Sequence, residues 1–217
     1  MTDEELELLP FCAVCRITSV DAANADDIRH GTGWHAGKGV IVTAAHVAQY
    51  PWEKNRIMTV ELALHGDIPP IVSVGGLSSK THTHIPSQWR NETATKVPYA
   101  ELSAVHDYDY AIIRTSLQTA PGGAQASWLI VGQVTDARDL VGQTAGTAGY
   151  DEHPVMLRNA NEVQKSTLSG QHALRLFNHN IDTVRGASGS PIYRAKDDKS
   201  LEVIGIHTQG VDTRHNR

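Results

Sequence analysis

The chain has 217 residues, of which 40% are hydrophobic and 20% charged, and it carries a formal net charge of −5. This composition is typical of a globular protein with a sizeable core, and the negative charge argues against nucleic acid or an anionic membrane as the main partner. No apolar run approaches the roughly 20 residues that a helix needs to cross a bilayer. We therefore expect neither a membrane partner nor a nucleic-acid partner.

The chain begins with an acidic stretch, residues 1–10, which we interpret as an N-terminal extension with one short helix at 4–9. A signal peptide needs a basic start and a longer apolar run, so the sequence favours a cytoplasmic protein, or a secreted one whose leader was removed. Cys12 and Cys15 then follow at a spacing that invites a redox or zinc interpretation. No second pair accompanies them, so we interpret them as small apolar residues of a first strand in a reducing compartment.

Short runs rich in Val, Ile, Thr and Leu follow, separated by Gly, Pro, Asn and Asp at the spacing of a β-sandwich or barrel. The predicted strands are 11–18, 39–43, 57–64, 71–74, 110–115, 144–150, 162–168, 173–177, 191–193 and 201–207. Residues 75–103 predict a long surface loop. The sequence therefore indicates an all-β protein.

A stretch rich in Gly and Ala, residues 118–125, is the best candidate for an internal linker. It separates two halves of similar strand content, 11–117 and 126–217, which we interpret as two small β-barrels with a cleft between them. His82 and His84 form the tightest histidine pair, without a flanking cluster of carboxylates or cysteines. Solvated loop histidines explain this pair better than a metal site does. We expect no metal and no cofactor.

The most informative segment places Ser188 between glycines and shortly before a proline, in Gly-Ala-Ser-Gly-Ser-Pro at 186–191. Such glycines permit a tight turn and let a substrate carbonyl approach bare backbone N–H groups. Hydrolysis of an amide by a serine needs a base, a buried anion that orients the base, and donors for the oxyanion. Ser188 is the candidate nucleophile, and the N–H groups of Gly186 and Ser188 are the candidate oxyanion donors.

The candidate base is His46, because the small residues before it can seat its ring beside a cleft at the end of a strand. The candidate anion is Asp109, since the apolar run that follows would bury its carboxylate, whereas Asp107 lies further from that run. An α/β-hydrolase would order these residues Ser, Asp, His and would carry G-x-S-x-G. The observed order is His, Asp, Ser, so a lipase or esterase is disfavoured.

These segments, with Gly-Thr-Gly-Trp at 31–34, Ala-Gly-Tyr at 148–150 and Val-Ile-Gly-Ile-His at 203–207, resemble the chymotrypsin-like (trypsin-fold) serine peptidases. Within that family the chain is most similar to the V8-like glutamyl endopeptidases. The resemblance implies two six-stranded antiparallel β-barrels of the trypsin-like fold, with the active-site cleft between them. Members usually continue with a further strand and a C-terminal helix, whereas this chain stops at Arg217. We expect that last strand to be missing, supplied elsewhere, or part of a longer protein.

The resemblance also implies a specificity pocket lined by Thr183, five residues before the nucleophile, and by His207. In glutamyl peptidases a hydroxyl and an imidazole at these positions hold the substrate carboxylate, so we expect cleavage after Glu or Asp. An unperturbed imidazole titrates near pH 6.5, which would make this selectivity depend on pH. The alternative for His207 is a buried structural histidine. Thr208, Gln209 and Gly210 would bind an extended substrate by strand addition.

Ala187 departs from trypsin-type zymogens, which place an aspartate there to pair with a freed N-terminus, so that activation switch is absent. The sequence predicts a serine endopeptidase that uses His46, Asp109 and Ser188 through an acyl-enzyme on a protein or peptide substrate. One alternative is a trypsin-fold peptidase with another preference, activated as a module of a larger protein by a regulatory partner or by a domain beyond Arg217. Another is a catalytically silent trypsin-fold binding module.

Overall fold

The structure, a computed structural model, describes residues 10–91, 105–116, 128–151, 156–164, 175–179, 181, 183–197 and 200–209. Residues 1–9 of the N-terminal extension and the linker at 118–125 lie outside the described residues. So does Gly210, which the sequence analysis placed in the substrate-binding segment.

The first half of the chain forms a seven-stranded sheet in the order β5-β4-β1-β2-β3-β7-β6. All of its neighbouring strands are antiparallel. Its strands are β1 (Val14–Asp21), β2 (Asn24–His35), β3 (Val40–Thr43), β4 (Arg56–Leu62), β5 (Val72–Ser78), β6 (Thr83–His84) and β7 (Ala111–Arg114).

The second half forms a six-stranded sheet in the order β11-β10-β9-β12-β13-β8. Its strands are β8 (Ile130–Val131), β9 (Thr144–Tyr150), β10 (Met156–Gln164), β11 (Asn178–His179), β12 (Pro191–Asp197) and β13 (Ser200–Ile206). The pairing of β8 with β13 is parallel, and the other pairs are antiparallel.

Helices are short in the described part of the chain. They include α1 (Ala45–Ala48), α2 (Ser87–Arg90) and 3-10 turns at Phe11–Ala13, 105–108 and Ala137–Leu140. None of the described helices has the length and apolar character needed to span a membrane.

Two of the apolar clusters show how the sheets are held together. The first lies within the seven-stranded sheet and includes Ile17, Ile41 and Trp89. The second contains residues from both sheets, among them Trp34 of β2 and Tyr150 of β9. Burying each large side chain of this kind contributes about 1.5–3 kcal/mol. Because the second cluster is shared, it packs strands of one sheet against strands of the other.

The predicted all-β class is confirmed. Three details differ from the expectation. The first sheet has seven strands rather than six, one pair in the second sheet is parallel, and residues 11–13 form a 3-10 turn ahead of β1. Cys12 and Cys15 are both buried, without a disulfide.

The predicted surface loop at 75–103 is wrong for its described part. That part contains the end of β5, all of β6 and α2. Trp89 of α2 is fully buried, and its indole N–H donates to the carbonyl of Gln49 at 3.0 Å. Leu77, Ile85 and Trp89 anchor this segment to the core, and their uneven spacing gives no repeating apolar pattern in the sequence.

Candidate active site

His46 lies on the short helix α1, directly after β3. Ala44 and Ala45 are fully buried before it. Gly31 of β2 lies opposite α1, where an added Cβ would approach Val47 to 2.6 Å. Small residues on both sides therefore let α1 pack closely on β2, which holds the His46 ring at the edge of the sheet with 13% of its side chain exposed.

Asp109 contacts His46 twice. Its Oδ2 lies 2.7 Å from the ring nitrogen Nδ1, and its Oδ1 accepts the backbone N–H of His46 at 2.9 Å. The Asp109 side chain is fully buried. A buried carboxylate at this distance keeps the proton on Nδ1, so Nε2 of the neutral ring is the nitrogen that can accept a proton.

Asp107 forms an ion pair on the other side of the site. Its carboxylate pairs with Arg175, whose Nη1 lies 3.3 Å from Oδ2. Arg175 also donates to the Tyr108 hydroxyl at 3.1 Å. Of the two carboxylates considered from the sequence, Asp109 is the one that the structure brings to the histidine.

Ser188 occupies the second position of a tight turn. The N–H of Ser190 donates to the carbonyl of Ala187 at 3.0 Å, and Gly189 at the third position has φ +91°. A positive φ at that position is the pattern of a type II turn and strongly favours glycine. The turn thus projects the Ser188 side chain from its corner.

The Ser188 turn packs against the strand and helix that lead to His46. The carbonyl of Ser188 accepts the N–H of Thr32 at 2.8 Å. A Cβ on Gly189 would overlap the carbonyl oxygen of Thr32 and would lie 3.0 Å from the backbone nitrogen of Ala44. Since Ala44 is two residues before His46, the structure brings the serine turn and the histidine helix together.

A second turn precedes the serine and carries the candidate oxyanion donors. The N–H of Ala187 donates to the carbonyl of Val184 at 3.1 Å, and Gly186 has φ +95°. The carbonyl of Gly186 accepts the hydroxyl of Thr32 at 2.9 Å. Within the described ranges, the N–H groups of Gly186 and Ser188 donate to no other group. They are therefore open to an oxyanion.

Thr32 is a site residue whose role the sequence analysis missed. Besides holding both turns, its hydroxyl accepts the N–H of Tyr150 in the second sheet at 2.9 Å. The Gly-Thr-Gly-Trp motif was the available signal, since a polar residue between two glycines inside a strand indicates close backbone approach.

His207 directly follows β13 and is pinned to the serine turn through its backbone. Its carbonyl accepts the N–H of Gly189 at 2.7 Å, and its N–H donates to the carbonyl of Ser190 at 2.9 Å. Only 4% of the residue is exposed. Burial, followed by the fields of His179 and His46, lowers the pKa of His207 to about 3. The expectation of an unperturbed imidazole is therefore wrong for this residue.

His179 of β11 was also missed from the sequence. Its Nε2 lies 3.1 Å from Nδ1 of His207, and its Nδ1 accepts the N–H of Ile181 at 3.2 Å. Burial lowers the pKa of His179 as well. A strand of two residues has no periodic pattern, so only the presence of a second histidine shortly before the serine motif could have indicated this partner.

The remaining predicted substrate-binding residues lie on the segments around the serine turn. Thr183 is half-buried in the connection between β11 and β12. Thr208 is half-buried and Gln209 is exposed, directly after His207.

No protein-family model matches the chain, and no curated protein matches it. Among solved structures, the chain is similar to a Glu endopeptidase in complex with MPD, with a TM-score of 0.69 and 18% identity over 95% of this chain and 83% of that one. It is similar to protease Anisep from Arthrobacter nicotinovorans, with a TM-score of 0.68 and 13% identity over 94% and 86%. Deg5 follows with a TM-score of 0.56 and 16% identity over 96% and 87%. The chain adopts the trypsin-like fold. The fold predicted from the resemblance is therefore confirmed.

Proposed function

We propose that this trypsin-fold chain is a serine endopeptidase that acts through an acyl-enzyme on Ser188. The observation that carries the proposal is the double contact between Asp109 and His46, which prepares the ring as a base next to the turn that presents the serine. A structural histidine has no need of a fully buried carboxylate that fixes its tautomer close to the turn of a half-buried serine.

In the proposed reaction, Oγ of Ser188 attacks the scissile carbonyl while Nε2 of His46 takes the hydroxyl proton. Asp109 stabilises the imidazolium that forms, and the N–H groups of Gly186 and Ser188 bind the oxyanion. His46 then passes its proton to the leaving amine as the C–N bond breaks. A water molecule, deprotonated by His46, hydrolyses the ester and releases Ser188.

The proposed substrate is a protein or peptide with an acidic residue before the scissile bond. Thr183 and His207 would contact its side chain, and residues 208–210 would pair with its backbone. The likeness to a structure named as a Glu endopeptidase is consistent with this choice. Trypsin-like basic specificity would need an acid at the Thr183 position.

The decisive experiment compares Ser188→Ala with Ser190→Ala on a peptide that contains one Glu. Ser190 is the matched control because it lies two residues away and its buried Oγ has no partner within the described residues. We expect Ser188→Ala to abolish cleavage and labelling by a fluorophosphonate, and Ser190→Ala to retain both. Cleavage that survives Ser188→Ala would overturn the proposal. A wild-type protein that neither cleaves nor labels would favour the silent binding module.

A further inference from the structure

Only one assignment of donors and acceptors satisfies both hydrogen bonds of the His179 and His207 rings. A backbone N–H can only donate, so the bond from Ile181 makes Nδ1 of His179 an acceptor. The proton of a neutral His179 must then be on Nε2, which donates to Nδ1 of His207 at 3.1 Å. His207 in turn carries its proton on Nε2. That nitrogen makes no hydrogen bond within the described part of the chain, so it is the atom left for a ligand.

In this arrangement, neither ring can gain a second proton without losing a hydrogen bond. A proton added to Nδ1 of His207 would face the N–H of His179, and a proton added to Nδ1 of His179 would face the N–H of Ile181. Either addition replaces a hydrogen bond with a repulsive contact. His207 is buried and His179 is half-buried, which disfavours their charged forms. Besides His179, the titratable group whose field reaches His207 in the described residues is His46, and its cationic form opposes protonation as well.

We propose that His179 is a positioning residue that holds His207 as a neutral Nε2–H donor, so that the specificity pocket accepts the side-chain oxygen of Gln as well as that of Glu. The inference rests on the proposed endopeptidase function and specifies its substrate class. A protonated imidazole would select the carboxylate by charge, whereas a neutral N–H donates to either oxygen. We expect the difference between a charged and a neutral acceptor to be within about tenfold.

The protonation state can be measured without activity. In the Ser188→Ala protein, we expect the imidazole nitrogen signals of His207 to show a protonated Nε2 and an unprotonated Nδ1, unchanged from about pH 5 to about pH 8. The His207→Gln variant assigns these signals. A His207 ring that titrates in this range, or one protonated on Nδ1, would overturn the inference even if cleavage is observed.

Selectivity is measured with peptides that differ only in Glu, Gln, Leu or Lys before the scissile bond. We expect kcat/KM for Glu and Gln to agree within about tenfold, and both to exceed Leu and Lys. The ratio of Glu to Gln should not change over the same pH range, since both peptides use the same catalytic residues. A preference for Glu above a hundredfold, or a ratio that falls as pH rises, would contradict a neutral donor.

Two variants separate positioning by His179 from a general structural role. His179→Gln keeps an N–H donor that can reach Nδ1 of His207, and we expect it to retain Glu and Gln cleavage within a few-fold. His179→Phe removes the donor, and we expect it to lower Glu and Gln cleavage by about tenfold while cleavage after Leu is unchanged. Equal losses on all peptides would refute the positioning role. If the wild-type protein cleaves none of them, the proposed function fails, and the imidazole signals still decide the state of His207.

Discussion

Replacing Asp109 with Asn changes the donor capacity of this buried side chain with almost no change in its shape. The Asp109 carboxylate accepts two hydrogen bonds from His46, one from the backbone N–H at 2.9 Å and one from the ring at 2.7 Å. An amide has only one oxygen. The backbone N–H cannot change its role, so the oxygen must stay on that side and the NH2 group must face the ring.

The size of the effect follows from this forced orientation. Facing an NH2 group, Nδ1 of His46 must accept, and the ring proton moves to Nε2. That nitrogen can then no longer take the proton of Ser188. Loss of the correct tautomer in a Ser-His-Asp triad lowers kcat by about 10⁴, which corresponds to about 5 kcal/mol of transition-state stabilisation.

The assay is kcat/KM on the Glu peptide, with thermal unfolding measured on the same samples. Asp107→Asn is the matched control, since Asp107 lies two residues away and pairs with a half-exposed Arg175. The Asp107 side chain is 4% exposed, and Asn at this position keeps its shape and an oxygen that can accept from Arg175. We expect Asp107→Asn to keep kcat/KM within about threefold, and both variants to remain folded.

Two results would refute this reasoning. If Asp109→Asn keeps kcat within tenfold of the wild type, the carboxylate does not set the tautomer of His46. If Asp107→Asn loses as much activity as Asp109→Asn while both proteins stay folded, the assignment of the orienting anion to Asp109 is wrong.

Three further predictions concern the framework of the site. Gly189→Ala should abolish cleavage and destabilise the fold, because its Cβ would overlap the carbonyl of Thr32. The control is Gly142→Ala, at φ +84° with open space around it. We expect this control to lower the free energy of unfolding, measured by chemical denaturation, by only about 1–2 kcal/mol. Thr32→Val should lower the free energy of unfolding by about 1–3 kcal/mol and reduce kcat, while Thr32→Ser retains most of both. Because the folded pKa of His207 is about 3, the unfolded chain binds an extra proton below about pH 6.5. The free energy of unfolding should therefore fall from about pH 6.5 towards about pH 3, and less steeply in His207→Gln.

Local sequence patterns were sufficient for much of the fold. Runs of β-branched residues interrupted by turn formers predicted the all-β class. They failed where burial depends on distant partners. The outer half of β2, residues 24–30, has no buried position and no clear alternation, and β2 was absent from the predicted strands. Trp89 is buried by contacts that only the folded sheet provides.

For the candidate site, too, some features could be predicted from local sequence and others depend on distant residues. The sequence around His46 and Asp109 was enough to predict their contact, and the glycine after Ser188 marks where its turn lies against the backbone of Thr32 and Ala44. That Ser188 reacts with His46 stays a prediction. The state of His207 could not be predicted, since it depends on burial and on His179, which lies on a different strand. A residue type at a matched position indicates which atoms are present, whereas its pKa depends on the surroundings.

Thr32 shows why the proposed catalytic geometry depends on both sheets together. Its backbone N–H holds the carbonyl of Ser188, its hydroxyl holds the carbonyl of Gly186, and the same hydroxyl accepts the N–H of Tyr150 in β9. The adjacent Gly33 packs against Ile17, where an added Cβ would lie 2.7 Å from its side chain. The Gly-Thr-Gly pattern therefore serves two purposes. Gly33 lets the strand pack closely on Ile17, and the hydroxyl of Thr32 joins the turn at Gly186 to the second sheet. A change in how the two sheets pack would therefore move the oxyanion donors relative to the base, and activity should be lost before the fold is.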